Sequence, residues 1–534
     1  MLNIILSVLL AGIPVLPRPH EDVNTGGAKI DPSQPPAVTI HPAPTNNGWR
    51  IPIMSGDAHN NLIWIDGNTL AYLGADISGD PSNFFEGASV WYSTDGGTTW
   101  EKYNINPTPI NRSYPDAYYD VTTGTPWFAY QIRPAGQPSI IYVAKDEGLS
   151  IGAPGLFSEY QVTNGEGTYG EWLPTVVAKG DTVVVSYMKF DLGLGACRTS
   201  FDGGATWGDE VIIDENQVLD NPNLLLVGEN TLVFFSFDAD IIDTIIFWKS
   251  TDWGQTWEGP YKYESSAIQY GFASWWYSYA GVAYQGKANV LAVLSPAGVE
   301  NGILYRYVFD PADNSITEEF VIGEVVPEVD PETGDTTWSV DIPQARTPSV
   351  GVTQDGSKLV VMFMNYEVVN DTAYDDPYFM VYDGNSWSDY APVFAVQDTF
   401  DEGRGDFCPT VYDDGDYLNL YFVCSSGSNS YANVYYATSQ VVIPSVNESR
   451  PTFALNVRPT IVTGNMNVEF ALPKTANVDV TVYNVSGQKV RTLYSGILNA
   501  GNHRMSFDTS FGKGIYFVTV TVDGKSTSRK IVVK

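Results

Sequence analysis

Ser93-Thr94-Asp95-Gly96-Gly97-Thr98-Thr99-Trp100 is the stretch on which the reading of this chain turns. The pattern returns as Ser200-Phe201-Asp202-Gly203-Gly204-Ala205-Thr206-Trp207 and as Ser250-Thr251-Asp252-Trp253-Gly254-Gln255-Thr256-Trp257. Each copy reads Ser-x-Asp-x-Gly-x-x-Trp and sits between two strand-like runs. The Asp can accept hydrogen bonds from the turn's own N–H groups, and Gly takes a positive φ at little cost. The Trp that opens the next strand brings a large ring to bury against the sheet. Three copies of one hairpin turn predict a repeated β-structure.

A second repeat lies outward from these turns. A Pro opens a short apolar strand, a Gly/Asp turn follows, and a second, strongly apolar strand comes next. The copies are Ile51-Pro52-Ile53, Tyr114-Pro115-Asp116, Leu173-Pro174-Thr175, Asn221-Pro222-Asn223, Thr347-Pro348-Ser349 and Cys408-Pro409-Thr410. Their prolines are 63, 59, 48, 126 and 61 residues apart. The long interval holds a copy without Pro, Tyr279–Tyr284 followed by Asn289–Leu294. A period of about 40–60 residues with four strands per copy predicts a β-propeller. The expectation is an all-β chain with a seven-bladed propeller over residues 47–445, six blades being the alternative count. Second strands such as Thr182-Val183-Val184-Val185-Ser186-Tyr187 are nearly all apolar, as sheets covered on both faces require. The last copy runs out of chain near Val441-Val442, and Ala37-Val38-Thr39-Ile40 is available to complete it.

Composition agrees. The 534 residues are rich in Trp, Tyr, Phe and Gly and lack long amphipathic helical runs. A net charge of -34 argues against nucleic acid as a partner, because phosphate contacts need a basic surface. With four His and no His/Cys cluster, no metal ligands and no cofactor are expected. Acid-rich turns such as Asp413-Asp414-Gly415-Asp416 read first as solvated surface, with calcium the alternative. Cys408 and Cys424 flank a hairpin that turns near Gly415-Asp416, and equal spacing predicts that they face each other as a disulfide pair. Cys197 is expected to be buried and inert.

The ends of the chain differ from its middle. Residues 2–16, LNIILSVLLAGIPVL, form one apolar run, which places a signal peptide over residues 1–20. Residues 21–46 are a Pro-rich linker containing the ring-closing strand candidate. Residues 447–534 carry 11 Lys+Arg against 5 Asp+Glu, and all 14 Trp precede them. That shift marks a domain boundary. Residues 446–534 alternate like a β-sandwich in Val478-Asp479-Val480-Thr481-Val482-Tyr483 and Gly514–Val520, which predicts a small immunoglobulin-like domain.

Two resemblances follow from these motifs. The Ser-x-Asp-x-Gly-x-x-Trp copies resemble the Asp-box (BNR) repeat of sialidase-like propellers, with Ser93, Asp95, Gly97, Trp100, Ser200, Asp202, Gly204, Trp207, Ser250, Asp252, Gly254 and Trp257 as the structural positions. In that family the boxes lie away from the catalytic pocket. The tail resembles the C-terminal sorting domain of type IX secretion in Val482–Val490, Ala500–His503, Gly514–Phe517 and Lys530–Lys534, with Val457-Arg458-Pro459-Thr460 where Tyr-Pro-Asn-Pro usually opens it. It implies export by the type IX machinery and a place outside the cell or on its outer surface.

Candidate site residues come from the repeat. Just before the inner strands stand Arg50, Arg112, Glu171, Asp220, Arg346 and Arg404. In ring order the arginines fall on adjacent copies and the two acids opposite. Arginine holds carboxylates through two parallel hydrogen bonds, so the arginines are candidates for binding an acidic sugar. Glu171 and Asp220 are the acid/base candidates. Trp49-Arg50-Ile51-Pro52 is similar to the sialidase Phe/Tyr-Arg-Ile-Pro motif, which implies carboxylate binding by Arg50. Where that family's catalytic Asp is expected, Glu86 is the nearest acid, and Leu73-Gly74-Ala75-Asp76 stands where a second Arg is expected. The resemblance further implies a Tyr nucleophile activated by Glu. The functional expectation is a sialidase-like propeller that binds glycans or surface glycoproteins and, as a glycoside hydrolase, cleaves them. The alternative is a non-catalytic adhesion or interaction propeller.

Overall fold

The computed structural model describes residues 38–42 and, with internal gaps, residues 61–441 and 455–534. The signal-peptide expectation, the linker apart from residues 38–42, Arg50, Arg112 and Cys408 lie outside the described residues. The chain divides into two compact units. One is Met1–Ser386 with Tyr390–Pro444, the other Trp387–Asp389 with Ser445–Lys534.

The first unit is a ring of seven antiparallel blades. Blade 1 holds Leu62–Asp66, Thr69–Ile77, Phe85–Ser93 and Glu101–Asn106; blade 2 holds Asp116–Asp120, Thr125–Ile132, Ile140–Asp146 and Phe157–Gln161. Blade 3 holds Glu171–Lys179, Thr182–Lys189, Leu194–Ser200 and Val211–Ile212; blade 4 holds Leu219–Val227, Thr231–Asp238, Thr244–Ser250 and Glu258–Glu264. Blade 5 is Tyr279–Tyr284, Lys287–Leu294, Ile303–Asp310 and Ser315–Ile322; blade 6 is Ala345–Thr353, Leu359–Val369, Thr372–Tyr382 and Ala391–Pro392. Each first strand touches the first strands of its neighbours, and those of blades 7 and 1 meet, so the ring closes. A hairpin of Glu324–Val329 and Thr336–Asp341 is inserted between blades 5 and 6.

Blade 7 is built from both ends of the propeller. Its first strand comes in two pieces, Arg404–Phe407 and Thr410–Asp413, followed by Leu418–Ser426 and Asn433–Val441. The fourth strand is Val38–Pro42, antiparallel to the third, with Val38 opposite Ser439 and Pro42 opposite Tyr435. An N-terminal segment thereby covers the edge that Asn433–Val441 would otherwise expose.

The repeated Pro marks a β-bulge. In blades 3, 4 and 6 the register slips at Leu173-Pro174, Asn221-Pro222 and Thr347-Pro348, where three steps along the first strand oppose two along the second. Pro cannot donate to a ladder, and a bulge is where a strand tolerates that loss. Blade 5, which lacks the Pro, pairs without a slip. At the blade 3 bulge Leu173 adopts a left-handed φ of 56°. In blade 1 the first described strand begins at Leu62, well beyond Pro52.

The same effect corrects the cysteine expectation. Phe407 lies opposite Phe422, yet Tyr412 lies opposite Asn419, so five steps on one strand match three on the other. The extra residues fall between Phe407 and Tyr412. Equal counting from the turn therefore fails, and Cys424 pairs with Gly405.

Seams between blades hold the ring together. Trp127, Ala129 and Val143 of blade 2 pack on Val176, Val183, Val185 and Tyr187 of blade 3. The turn after each third strand docks on the preceding blade. A Cβ on Gly204 would come 2.8 Å from the Tyr160 ring, and one on Gly254 3.2 Å from Cys197 Sγ, so these close approaches require glycine. Cys197 is buried, and that burial pushes its thiol up to about 12. It is inert, as a small apolar filler should be.

The second unit is a two-sheet β-sandwich. Leu455–Arg458, Asn465–Leu472 and Gly501–Asp508 form one sheet. Ile461–Val462, Lys525–Val533, Gly514–Val522, Ala476–Asn484 and Lys489–Leu498 form the other. Val478, Val480 and Val482 alternate inward onto Val468, Phe470, Val518 and Ile531, the immunoglobulin-like build that the alternation predicts.

Candidate functional site

The two ends of the blades are chemically distinct. In blade 3, Glu171 opens the first strand opposite Lys189, while Ser200 ends the third strand opposite Val183. The Ser-x-Asp-x-Gly-x-x-Trp turns thus lie at the end away from where first strands begin. At the beginning end, Glu171 is the first residue of its strand, Asp220 and Arg346 are second in theirs, and Arg404 is first in its own. Glu86 is second in a third strand of blade 1, which runs in the same sense as the first. The blade 6 and blade 7 first strands run parallel, Val352 opposite Thr410. Arg346 and Arg404 therefore start neighbouring strands at one end of the channel. These are backbone placements for Glu86, Asp220, Arg346 and Arg404.

Glu171 holds a loop. It is 1% exposed, and its Oε2 accepts from Thr163 Oγ1 at 2.9 Å while Oε1 accepts from Glu166 N at 3.1 Å. Burial raises its pKa, against the pull of those two bonds. The neighbouring Asp191 Oδ2 accepts from Thr168 N at 2.7 Å and Tyr169 N at 3.0 Å. Gly170 meets Ser139 so closely that a Cβ would lie 2.3 Å from Ser139 O. Residues 163–171 are thereby clamped from three sides.

The clamped loop presents an aromatic group. Trp172 stacks on Phe190 at 4.0 Å, Tyr169 meets Phe190 edge-on at 5.5 Å, and Tyr114 lies 5.7 Å from Trp172. Trp172 is buried, whereas Tyr169 and Phe190 are half-buried. The Arg133 guanidinium lies 5.4 Å from the Tyr169 ring centre. Arg133, Tyr169 and Phe190 were not among the sequence candidates. Gly165, Gly167 and Gly170 spaced before Glu171 are the one local signal of a shaped loop there.

Buried Tyr–Glu pairs occur within blades 2, 3 and 5 among the described residues, beside an exposed one in blade 4, where Tyr261 OH donates to Glu258 Oε2 at 3.4 Å. Tyr187 OH donates to Glu210 Oε2 at 2.8 Å, and Lys189 Nζ reaches Glu210 Oε1 at 2.5 Å. Tyr130 OH bonds to Glu159, which also accepts from Asn106 at 2.6 Å. Tyr307 OH donates to Ser265 Oγ at 3.0 Å, which donates to Glu318 at 2.8 Å. Tyr187, Tyr130 and Tyr307 are fully buried. Burial first, and then the adjacent carboxylate, raises each phenol well above its ordinary pKa. A nucleophile needs the opposite shift and access to substrate. These buried pairs fasten strands within their own blades.

The turns at the far end are self-contained. Ser93 Oγ donates to Asp95 Oδ1 at 2.8 Å and accepts from Gly97 N at 2.7 Å. Asp95 accepts from Thr99 N at 2.8 Å and Thr99 Oγ1 at 2.6 Å. Asp202 and Asp252 repeat the arrangement with Thr206 and Thr256. Every carboxylate oxygen is thus already engaged within its own turn. Among the described residues no group of three or more His, Cys, Asp or Glu is arranged to hold a metal ion.

The chain is similar to the following known proteins. Residues 456–534 match the family described as Secretion system C-terminal sorting domain. No curated protein matches the chain. Among solved structures, the Penicillium chrysogenum alpha-L-arabinanase complexed with arabinobiose is 12% identical over 76% of this chain and 99% of that one, with a TM-score of 0.39. The NanB sialidase from Streptococcus pneumoniae is 12% identical over 64% of this chain and 72% of its own, with a TM-score of 0.39. A structure of YCF48 bound to D1 peptide is 13% identical over 82% of this chain and 100% of its own, with a TM-score of 0.38. Likenesses this remote say nothing of substrate. The sandwich of residues 456–534 is a type IX sorting tail, and the chain is a protein secreted and attached to the outer cell surface.

Proposed function

We propose that this surface-attached propeller binds glycans carrying acidic sugars at the end of the channel where its first strands begin, and that it binds them without cleaving them. The observation that carries the reading is the concentration of recognition chemistry at that end. Arg346 and Arg404 start neighbouring strands there, and Tyr169 on the clamped loop meets Phe190 of the adjoining loop, both half-buried. Aromatic faces take the apolar faces of sugar rings, and arginines take their carboxylates. The Ser-x-Asp turns serve as Asp boxes that fasten blades at the far end. The sorting tail engages the type IX machinery and leaves the propeller displayed outside the cell.

The non-catalytic half rests on the buried Tyr–Glu pairs of blades 2, 3 and 5, whose hydroxyls are closed off from any substrate. Full-length protein should be retarded in affinity gels by acidic polysaccharides more than by neutral ones, and should release no reducing sugar from either. Equal retardation by both classes would remove the acidic-sugar reading. Release of reducing sugar would restore the hydrolase.

A further inference from the structure

Building on the glycan-binding reading above, we infer that Arg133, Tyr169 and Phe190 form the subsite that takes the carboxylated ring of the glycan. Arg133 lies in the turn after the second strand of blade 2, and Tyr169 and Phe190 lie in the two adjoining loops of blade 3. Arg133 Nε donates to Gln137 O at 3.3 Å. Its guanidinium has no carboxylate partner and no other protein hydrogen bond among the described residues. Arg198 of the same unit likewise donates to a backbone carbonyl, Gly208 O at 3.1 Å, but Arg133 alone of the two lies over an aromatic ring. Lys145, Lys179, Lys189, Lys249 and Arg306 of the same unit each hold an acid.

The geometry leaves the right atoms available. Arg133 lies over the Tyr169 ring and spends only its Nε–H on Gln137 O, so its Nη–H groups stay open to a bidentate carboxylate. Tyr169 is held in place by Asp191 through its N–H and by Trp172 Nε1, which donates to Tyr169 O at 3.0 Å. Phe190 is fixed by its 4.0 Å stack on Trp172. Leu192, two residues on, is exposed. An apolar strip that ends in an unpaired fork of donors matches a sugar ring with one CH-rich face and a carboxylate at its edge. Pre-positioning lowers the ordering cost of binding.

The test uses full-length protein and calorimetry with oligogalacturonate and sialyllactose as carboxylated probes, oligogalactan and lactose as neutral ones, and poly-glutamate as an acidic peptide. The wild type should prefer the carboxylated member of at least one sugar pair, and which pair responds tells uronic from sialic acid. Arg133→Gln should weaken that carboxylated probe about 10- to 100-fold, the span of a charge-assisted hydrogen bond. It should leave the neutral probe unchanged. Arg133→Lys, which keeps the charge and loses the fork, should fall between. If Arg133→Gln melts like the wild type and keeps the full preference, this subsite is wrong while the acidic-glycan reading stands. If the wild type itself shows no preference, both fall. Poly-glutamate binding as tightly as the sugars would also overturn the subsite.

Discussion

Asp116 Oδ2 accepts the backbone N–H of Val176 at 2.8 Å, joining the first strand of blade 2 to that of blade 3 across 60 residues of sequence. The first strands of blades 2 and 3 are each laddered on one side only, so backbone groups on the other side need separate partners. Asp116 is 2% exposed and satisfies one of them with a charged acceptor. Asp120 does the same for Gly180 N at 2.8 Å.

Asp116→Ala should therefore cost about 1.5–3 kcal/mol, the worth of a hydrogen bond to a charged group. Urea unfolding checks it. Asp120→Ala, at a half-buried bond, should cost less. A loss under half a kcal/mol at Asp116 would mean that the seam closes without it.

Tyr187→Phe deletes one hydroxyl and keeps the ring. Glu210 retains Lys189 at 2.5 Å, so the carboxylate is not orphaned. Stability should fall by about 1–2 kcal/mol, within the range for such bonds. Glycan affinity by calorimetry should not change. A loss of binding with no loss of stability would place Tyr187 at the ligand after all.

Acid should loosen the turns. Hydrogen bonds from Thr99 and Thr206 hold Asp95 and Asp202 down at about 2, and Thr353 does so for Asp355. A carboxylate whose folded pKa is lowered stabilises the fold above its unfolded pKa, near 4, and loses that contribution as pH falls toward 2. The melting temperature should drop between about pH 4 and pH 2. Asp202→Asn should have a lower melting temperature at pH 7 and a shallower slope in that window. The groups are exposed, so the effect of each is small and is read best from the slope. An unchanged slope would show that other carboxylates govern the acid limb.

Deleting residues 1–42 removes the fourth strand of blade 7 and uncovers Asn433–Val441. A nine-residue open edge invites pairing with another chain. The truncated protein should melt lower and elute larger with rising concentration in size-exclusion chromatography. Addition of a peptide spanning residues 37–43 should reverse both changes. A monomeric truncation with unchanged melting would show that the ring does not depend on that strand.

Local chemistry was legible in the sequence by itself. Ser93, Asp95, Gly97 and Thr99 close their turn within a few residues, so the pattern and the structure coincide. The Pro repeat, its Pro-less copy and the strand at Val38 were enough to count seven blades and to close the ring, because sheet periodicity and turn residues act over short distances. The tail announced itself by charge and alternation for the same reason. What only the tertiary structure decided lies between segments. A bulge displaced Cys424 from the position that counting assigned to it, since register depends on both strands of a pair. Glu171, which stood in the sequence as an acid candidate, holds a loop through Thr163 and Glu166, and Arg133 reaches Tyr169 across 36 residues. Nothing in a linear order of residues states which blade turns which face toward its neighbour; the packing of seven sheets around a channel does.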